Sequence, residues 1–105
     1  MLKHNREFQL VYRKGKSAHS HALVLFYLPN TPDISAGFTA SKKVGNAVKR
    51  NRAKRRMRAL FHAFEPRLLP GSYVLVAKAA TVDVPYAELE KAFGKIVERA
   101  GALHA

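Results

Sequence analysis

The 105-residue sequence contains no cysteine, which excludes disulfides, zinc–thiolate sites and thiol catalysis. Acidic side chains are scarce, seven against nineteen Lys and Arg, and residues 34–64 hold none. A protein nuclease working through magnesium needs clustered carboxylates. None stand among the basic residues, so a chain that cuts nucleic acid alone is a poor reading. Long apolar runs are missing too. The longest covers residues 22–28, seven positions, far short of a membrane span. No apolar stretch follows the opening MLKHNR to act as a secretory signal, and a cytoplasmic location is expected. Internal repeats, low-complexity tracts and linkers are absent, and the length suits one domain over residues 1–105.

What the sequence has is positive charge. The excess is +12 on 11.7 kDa, which implies a polyanionic partner, because a compact domain otherwise suffers its own repulsion. Nine of the nineteen cations fall within residues 42–58; outside that segment ten basic and seven acidic residues leave +3. Function is expected to concentrate there.

Periodicity and punctuation give the order α-β-β-β-α-β-α, a mixed α+β sandwich of helices against one sheet. Asn5 is the expected cap of a first helix carrying Phe8, Val11 and Tyr12, with Gly15 as a left-handed stop. Strands are expected over 17–21, 22–28 and 34–42, the third returning antiparallel after a proline-rich turn. Gly45-Asn46 opens a long helix to about Phe64, which Glu65-Pro66 closes. A strand over 73–77 follows Pro70-Gly71. Asp83 is the expected cap of a last helix, with Pro85 in its first turn and an apolar stripe from Leu89 to Leu103.

At 100° per residue, Ala53, Met57, Leu60, Phe61 and Phe64 share the buried face of the long helix. Lys49, Arg52, Arg55 and Arg56 fall opposite, Lys54 and Arg58 flank the stripe, and Arg50 must project past the sheet edge. Solvated faces usually mix signs to gain pairs four residues apart, whereas every such pair here is repulsive. Nucleic-acid contact explains that choice and stability does not. No helix-turn-helix, zinc finger or heptad repeat offers a device for reading DNA sequence.

The run SKKVGNAVKRNRAKRRMR at 41–58 resembles the signature of the bacterial ribonuclease P protein family, with Arg50-Asn51-Arg52 at its centre and Lys54-Arg55 and Arg58 at the family's spacing. Leu2-Lys3, Glu7-Phe8-Gln9, Val11-Tyr12 and Gly15 are similar to its first helix, and Gly37 to its third strand. The resemblance implies a ribosomal-protein-S5-domain-2-like fold with a left-handed β-α-β crossover, where unaided physics favours the right-handed one. It implies that Lys43, Arg50, Asn51, Arg52, Lys54, Arg55 and Arg58 face a catalytic RNA and its substrate. It also implies that Phe8, Tyr12, Phe26 and Thr39 line a cleft for the 5′ leader of precursor tRNA. The partners are then that RNA and precursor tRNA, with no protein partner required. No catalytic residue belongs to the chain, no metal or cofactor is held by the protein alone, and magnesium is expected on the RNA.

Bland readings stand beside these. On spacing alone, Phe8 and Tyr12 read as core residues. Phe38, Phe61, Phe64 and Phe93 are expected in the core, and His19 and His21 as surface histidines rather than zinc ligands. A structural ribosomal protein or a general RNA-binding protein would share the charge and the fold class.

Overall fold

The structure, a computed structural model, describes Leu2 and residues 4–103. Lys3, one of the positions matched above, lies outside the described residues.

Helix α1 spans Asn5–Lys14. Its cap is His4 rather than Asn5, and the Glu7 carboxylate accepts from the His4 N–H at 3.2 Å. Gly15 is extended (φ −77°, ψ 161°), not left-handed as expected, because strand β1 (Lys16–His19) begins at the next residue. Glycine is needed there for room: a Cβ would lie 2.5 Å from the Val11 carbonyl oxygen and 2.9 Å from that of Tyr27. β2 (Leu23–Leu28) and β3 (Ile34–Thr39) follow. β3 stops before the expected residue 42, because a turn closed by Val44 N–H on the Ser41 carbonyl (3.0 Å) starts there. Buried Val44 pins that turn beneath exposed Lys42 and Lys43.

Helix α2 covers Ala47–Phe64, and the Asn46 side chain caps it by accepting from Lys49 N–H at 3.0 Å. A 3-10 turn at Glu65–Arg67 ends it around Pro66. β4 (Gly71–Ala77) leads into helix α3 (Ala79–Asp83), which the periodicity does not announce. Asp83 therefore ends α3 and does not cap the last helix, α4 (Tyr86–Arg99), whose cap is Pro85. Five residues are too few to form a stable helix unaided, so α3 must be held by its neighbours.

The strand order is β1-β2-β4-β3. β1 and β2, and β2 and β4, pair antiparallel; β3 pairs parallel with β4. β3 thus runs opposite to β2 as expected, yet β4 separates them, and α2 bridges the adjacent parallel strands β3 and β4. Alternation splits the sheet into two faces. Leu23, Leu25 and Tyr27 with Tyr73, Leu75 and Ala77 meet Met57, Leu60, Phe61 and Phe64 of α2 and Leu89, Phe93, Ile96 and Val97 of α4. Each large apolar side chain buried in that layer stabilises the fold by about 1.5–3 kcal/mol. The opposite face carries a smaller cluster of Leu2, Val11 and Val74 beneath α1, with Phe8, Tyr12, Phe26, Leu28 and Val76 partly covered around it. No helix among the described residues is long and apolar enough to cross a membrane.

Candidate nucleic-acid interface

The cations of α2 separate into two groups. On one flank, Arg56 turns toward α3. Its guanidinium donates to the carbonyls of Thr81 (2.7 Å), Val82 (2.9 Å) and Val84 (2.5 Å), and Arg52 Nε donates to Val82 at 3.1 Å. Those oxygens belong to the last turn of α3 and its C-cap Val84, which have no partners of their own within the helix. Arg56 is half-buried in consequence and does not stand with the outward-facing cations as helical angle suggests. Five donors in a planar fork suit it to satisfy several carbonyls at once. The residue holds the fold, and its spacing of four from Arg52 is the only sequence signal of that role.

The crest and the other flank are different. Asn51, Arg55 and Arg58 are exposed, and Arg50 and Lys54 half-buried. None of these five side chains has a hydrogen-bond or ion-pair partner among the described residues. Arg50, Lys54 and Arg58 recur every fourth residue and form one row. Arg58 marks where that row lies, with its guanidinium 5.8 Å from the ring centre of Phe38 in the edge strand β3. Lys43 is exposed on the turn that leads from β3 into α2. Val48, 74% exposed, adds an apolar side chain in the first turn of the helix.

On the other face of the sheet, Tyr12 stands edge-on to Phe26 with ring centres 5.0 Å apart, and Phe8 is 6.5 Å from Tyr12. All three are half-buried, so the same rings that close the small cluster under α1 keep part of their surface open. Phe8 lies directly over Gly37 of β3, where an added Cβ would come within 2.4 Å of its ring. Gly37 is thus the opening that lets α1 approach the sheet. Thr39 sits one pleat further along the same face, half-buried and beside Val76 in the register rather than against the rings. The four expected cleft residues share a face, with Tyr12 between Phe8 and Phe26 and Thr39 extending the floor. β3 joins the two regions, its edge flanked by the basic row and its other face covered by Phe8 at Gly37 and half-open at Thr39.

His19 and His21 are exposed, and among the described residues no three His, Asp or Glu side chains converge as metal ligands. No buried polar side-chain atom lacks a partner among them.

Comparison with known proteins fits this arrangement. The family model described as Ribonuclease P matches residues 1–101. A ribonuclease P protein component from a Nitratiruptor species is 47% identical over 98 residues, covering 93% of this chain and 89% of the relative. The component from Symbiobacterium thermophilum is 42% identical over 106 residues, covering 97% and 91%. Among solved structures, the Staphylococcus aureus RNase P protein at 2.0 Å superposes with a TM-score of 0.86 at 27% identity, covering 98% of this chain and 96% of that one. With its signature on α2 and the matching fold around it, the chain belongs to the ribonuclease P protein family.

Proposed function

We propose that this chain binds the catalytic RNA of ribonuclease P through Lys43, the row Arg50, Lys54 and Arg58, the crest residues Asn51 and Arg55, and exposed Arg52 on the α3 flank, whose Nε alone is used on Val82. It holds the 5′ leader of precursor tRNA in the cleft of Phe8, Tyr12, Phe26 and Thr39. The observation that carries this reading is the adjacency across β3 of unpaired cations and half-open aromatic rings. Single-stranded RNA is gripped by stacking on aromatic faces beside a positive groove, in a manner tolerant of base sequence. Cationic side chains on a helix position a phosphate backbone without reading it.

The role is to bring two polyanions together. Their repulsion is relieved by fixed cations, and condensed counterions are released as the protein binds. Endonucleolytic removal of the leader belongs to the RNA, with magnesium on the RNA activating water and stabilising the leaving oxygen. The protein supplies no catalytic side chain and acts in the cytoplasm. Cleavage rate against magnesium concentration, with and without protein, tests this. The isolated chain should cleave nothing, and the RNA alone should retain activity at high magnesium and monovalent salt. The protein's benefit should be large at low ionic strength and shrink as salt screens its charge. Cleavage by RNA-free protein, or a benefit indifferent to salt, would overturn the reading.

A further inference from the structure

A second basic surface stands on α4, away from the signature helix. Lys91, Lys95 and Arg99 recur every fourth residue and line one wall of a cavity of about 340 Å³, completed by Ser20 and His21 of the β1–β2 turn with Glu88 and Ala92. Three cations thus face one carboxylate. Glu88 is turned to His21, 3.7 Å from Nε2, and no Lys or Arg forms an ion pair with a carboxylate among the described residues. Lys91 and Lys95 therefore remain unpaired although Glu88, Glu90 and Glu98 share their helix. An ordinary solvated face would use those carboxylates, because like charges four apart destabilise a helix.

The opposing wall is rigid. Ser20 Oγ accepts from the Ala22 and Leu23 N–H groups at 3.1 Å each and donates to the Leu23 carbonyl at 2.9 Å. Lys78 Nζ donates to the Ser20 carbonyl at 2.5 Å, and Arg99 to that of His19 at 3.3 Å. Lys78 is thus fastened to the turn and Arg99 to the end of β1, which holds this wall of the cavity. Its lining names the ligand chemistry. Cations suit phosphate oxygens, while the absence of any aromatic ring except the His21 imidazole leaves nothing to sandwich a base.

The geometry points to this cavity as a docking site for the sugar–phosphate backbone of a second segment of the RNA, distinct from the segment that meets α2. The assignment rests on the RNA-binding reading above, and adds that the partner embraces the protein from the α4 side as well. Lys91 and Lys95 are exposed and make no hydrogen bond or ion pair among the described residues, so Lys91→Gln with Lys95→Gln should leave the fold intact. Binding of the catalytic RNA is measured against salt for the wild type, for this double variant and for Arg55→Ala with Arg58→Ala. Each lost phosphate contact lowers the log–log slope by about 0.7–0.9, and the two pairs, on separate elements, should add. Hydroxyl-radical footprints should lose protection at different RNA positions in the two variants. In the wild-type complex, RNA should shield Lys91 and Lys95 from acetylation, a readout that needs no variant to fold.

A wild-type slope in the α4 variant, with the α2 variant weakened and both lysines acetylated as in free protein, would overturn the α4 site and leave the RNA-binding reading standing. The cavity would then serve an acidic protein or nothing. Salt-indifferent binding by the wild type would overturn both. Loss of the same footprint in both variants would overturn the second segment.

Discussion

Arg55 and Arg56 are neighbours on one helix, chemically identical, and used for opposite ends. Arg56 is spent inside the molecule, where its guanidinium closes the last turn of α3; Arg55 meets nothing and stands outward. The aromatics divide likewise. Tyr27 and Tyr73 stack at 4.7 Å in the layer under α2, with hydroxyls bonded to the carbonyls of Pro70 and Leu69. Tyr12 and Phe26 meet at a similar distance beneath α1 but stay half open. In a small domain, residue type does not separate structure from recognition. What separates them is whether backbone carbonyls or other side chains close over the group.

The comparison breaks first at Arg56. Arg56→Ala removes three charge-assisted bonds and strands carbonyls at the end of α3, which should cost about 2–3 kcal/mol, or roughly 8–20 °C in Tm. Arg56→Lys should recover only part, because one ammonium cannot span three oxygens. Thermal melting checks this. A loss below about 0.5 kcal/mol would return Arg56 to the outward-facing set.

Arg55→Ala with Arg58→Ala should do the reverse. Stability should change by less than about 1 kcal/mol, the weak contact of Arg58 with Phe38 being the main loss. The salt slope of RNA binding should fall by about 0.7–0.9 for each phosphate released. Melting curves beside affinities across a salt series separate the two behaviours. Equal damage to stability and affinity in both variants would erase the division.

Much of this was legible in residue order. The 3.6 period placed Ala53, Met57, Leu60, Phe61 and Phe64 on the buried face of α2, and the excess charge pointed to the helix that carries the candidate interface. Helical angle also foretold that Lys54 and Arg58 flank the apolar stripe. What was not legible depends on contacts distant in sequence. α3 is too short to show a period, and it exists because Arg56 and Arg52, about 25–30 residues away, satisfy its carbonyls while Thr81 donates to Ala22 in the β1–β2 turn. Without α3, Asp83 looks like the cap of the last helix. Insertion of β4 between β2 and β3 is equally invisible, since a strand's pattern records which face is buried and not which neighbour it pairs with. The cleft was reached through resemblance alone, because half-buried rings spaced four apart read as core.

The open aromatics sharpen the comparison at smaller cost. Tyr12→Ala should weaken binding of precursor bearing a 5′ leader by about 1–3 kcal/mol, the worth of one stacked base, and leave mature tRNA almost unaffected. Gly37→Ala offers a second handle. Its new methyl must push Phe8 aside, so leader affinity should fall while contacts made by α2 persist. Equilibrium binding of the two tRNA forms decides; equal weakening of both, with a falling Tm, would assign these rings to the fold.

The smallest effect is expected at the closed pair. Burial raises the Tyr73 hydroxyl pKa well above its ordinary 10.0, with Tyr27 adding to the rise, and burial raises that of Tyr27 as well. The folded state therefore favours the neutral phenol. Its contribution to stability is complete below pH 10, and is lost as pH climbs toward the folded-state value, because the unfolded chain releases its proton first. High pH also changes the net charge of a +12 chain, so the wild-type melting curve alone mixes two effects. Tyr73→Phe separates them. At pH 8 the variant should be less stable by about 0.5–1.5 kcal/mol, having lost the bond to Leu69. At pH 11 the gap should narrow, since only the wild type still carries the penalty of keeping a phenol protonated. The change in net charge is common to both proteins and cancels in the difference. A gap that stays constant between the two pH values would mean that water reaches the Tyr73 hydroxyl, and that the closed pair is no more closed than Tyr12 and Phe26.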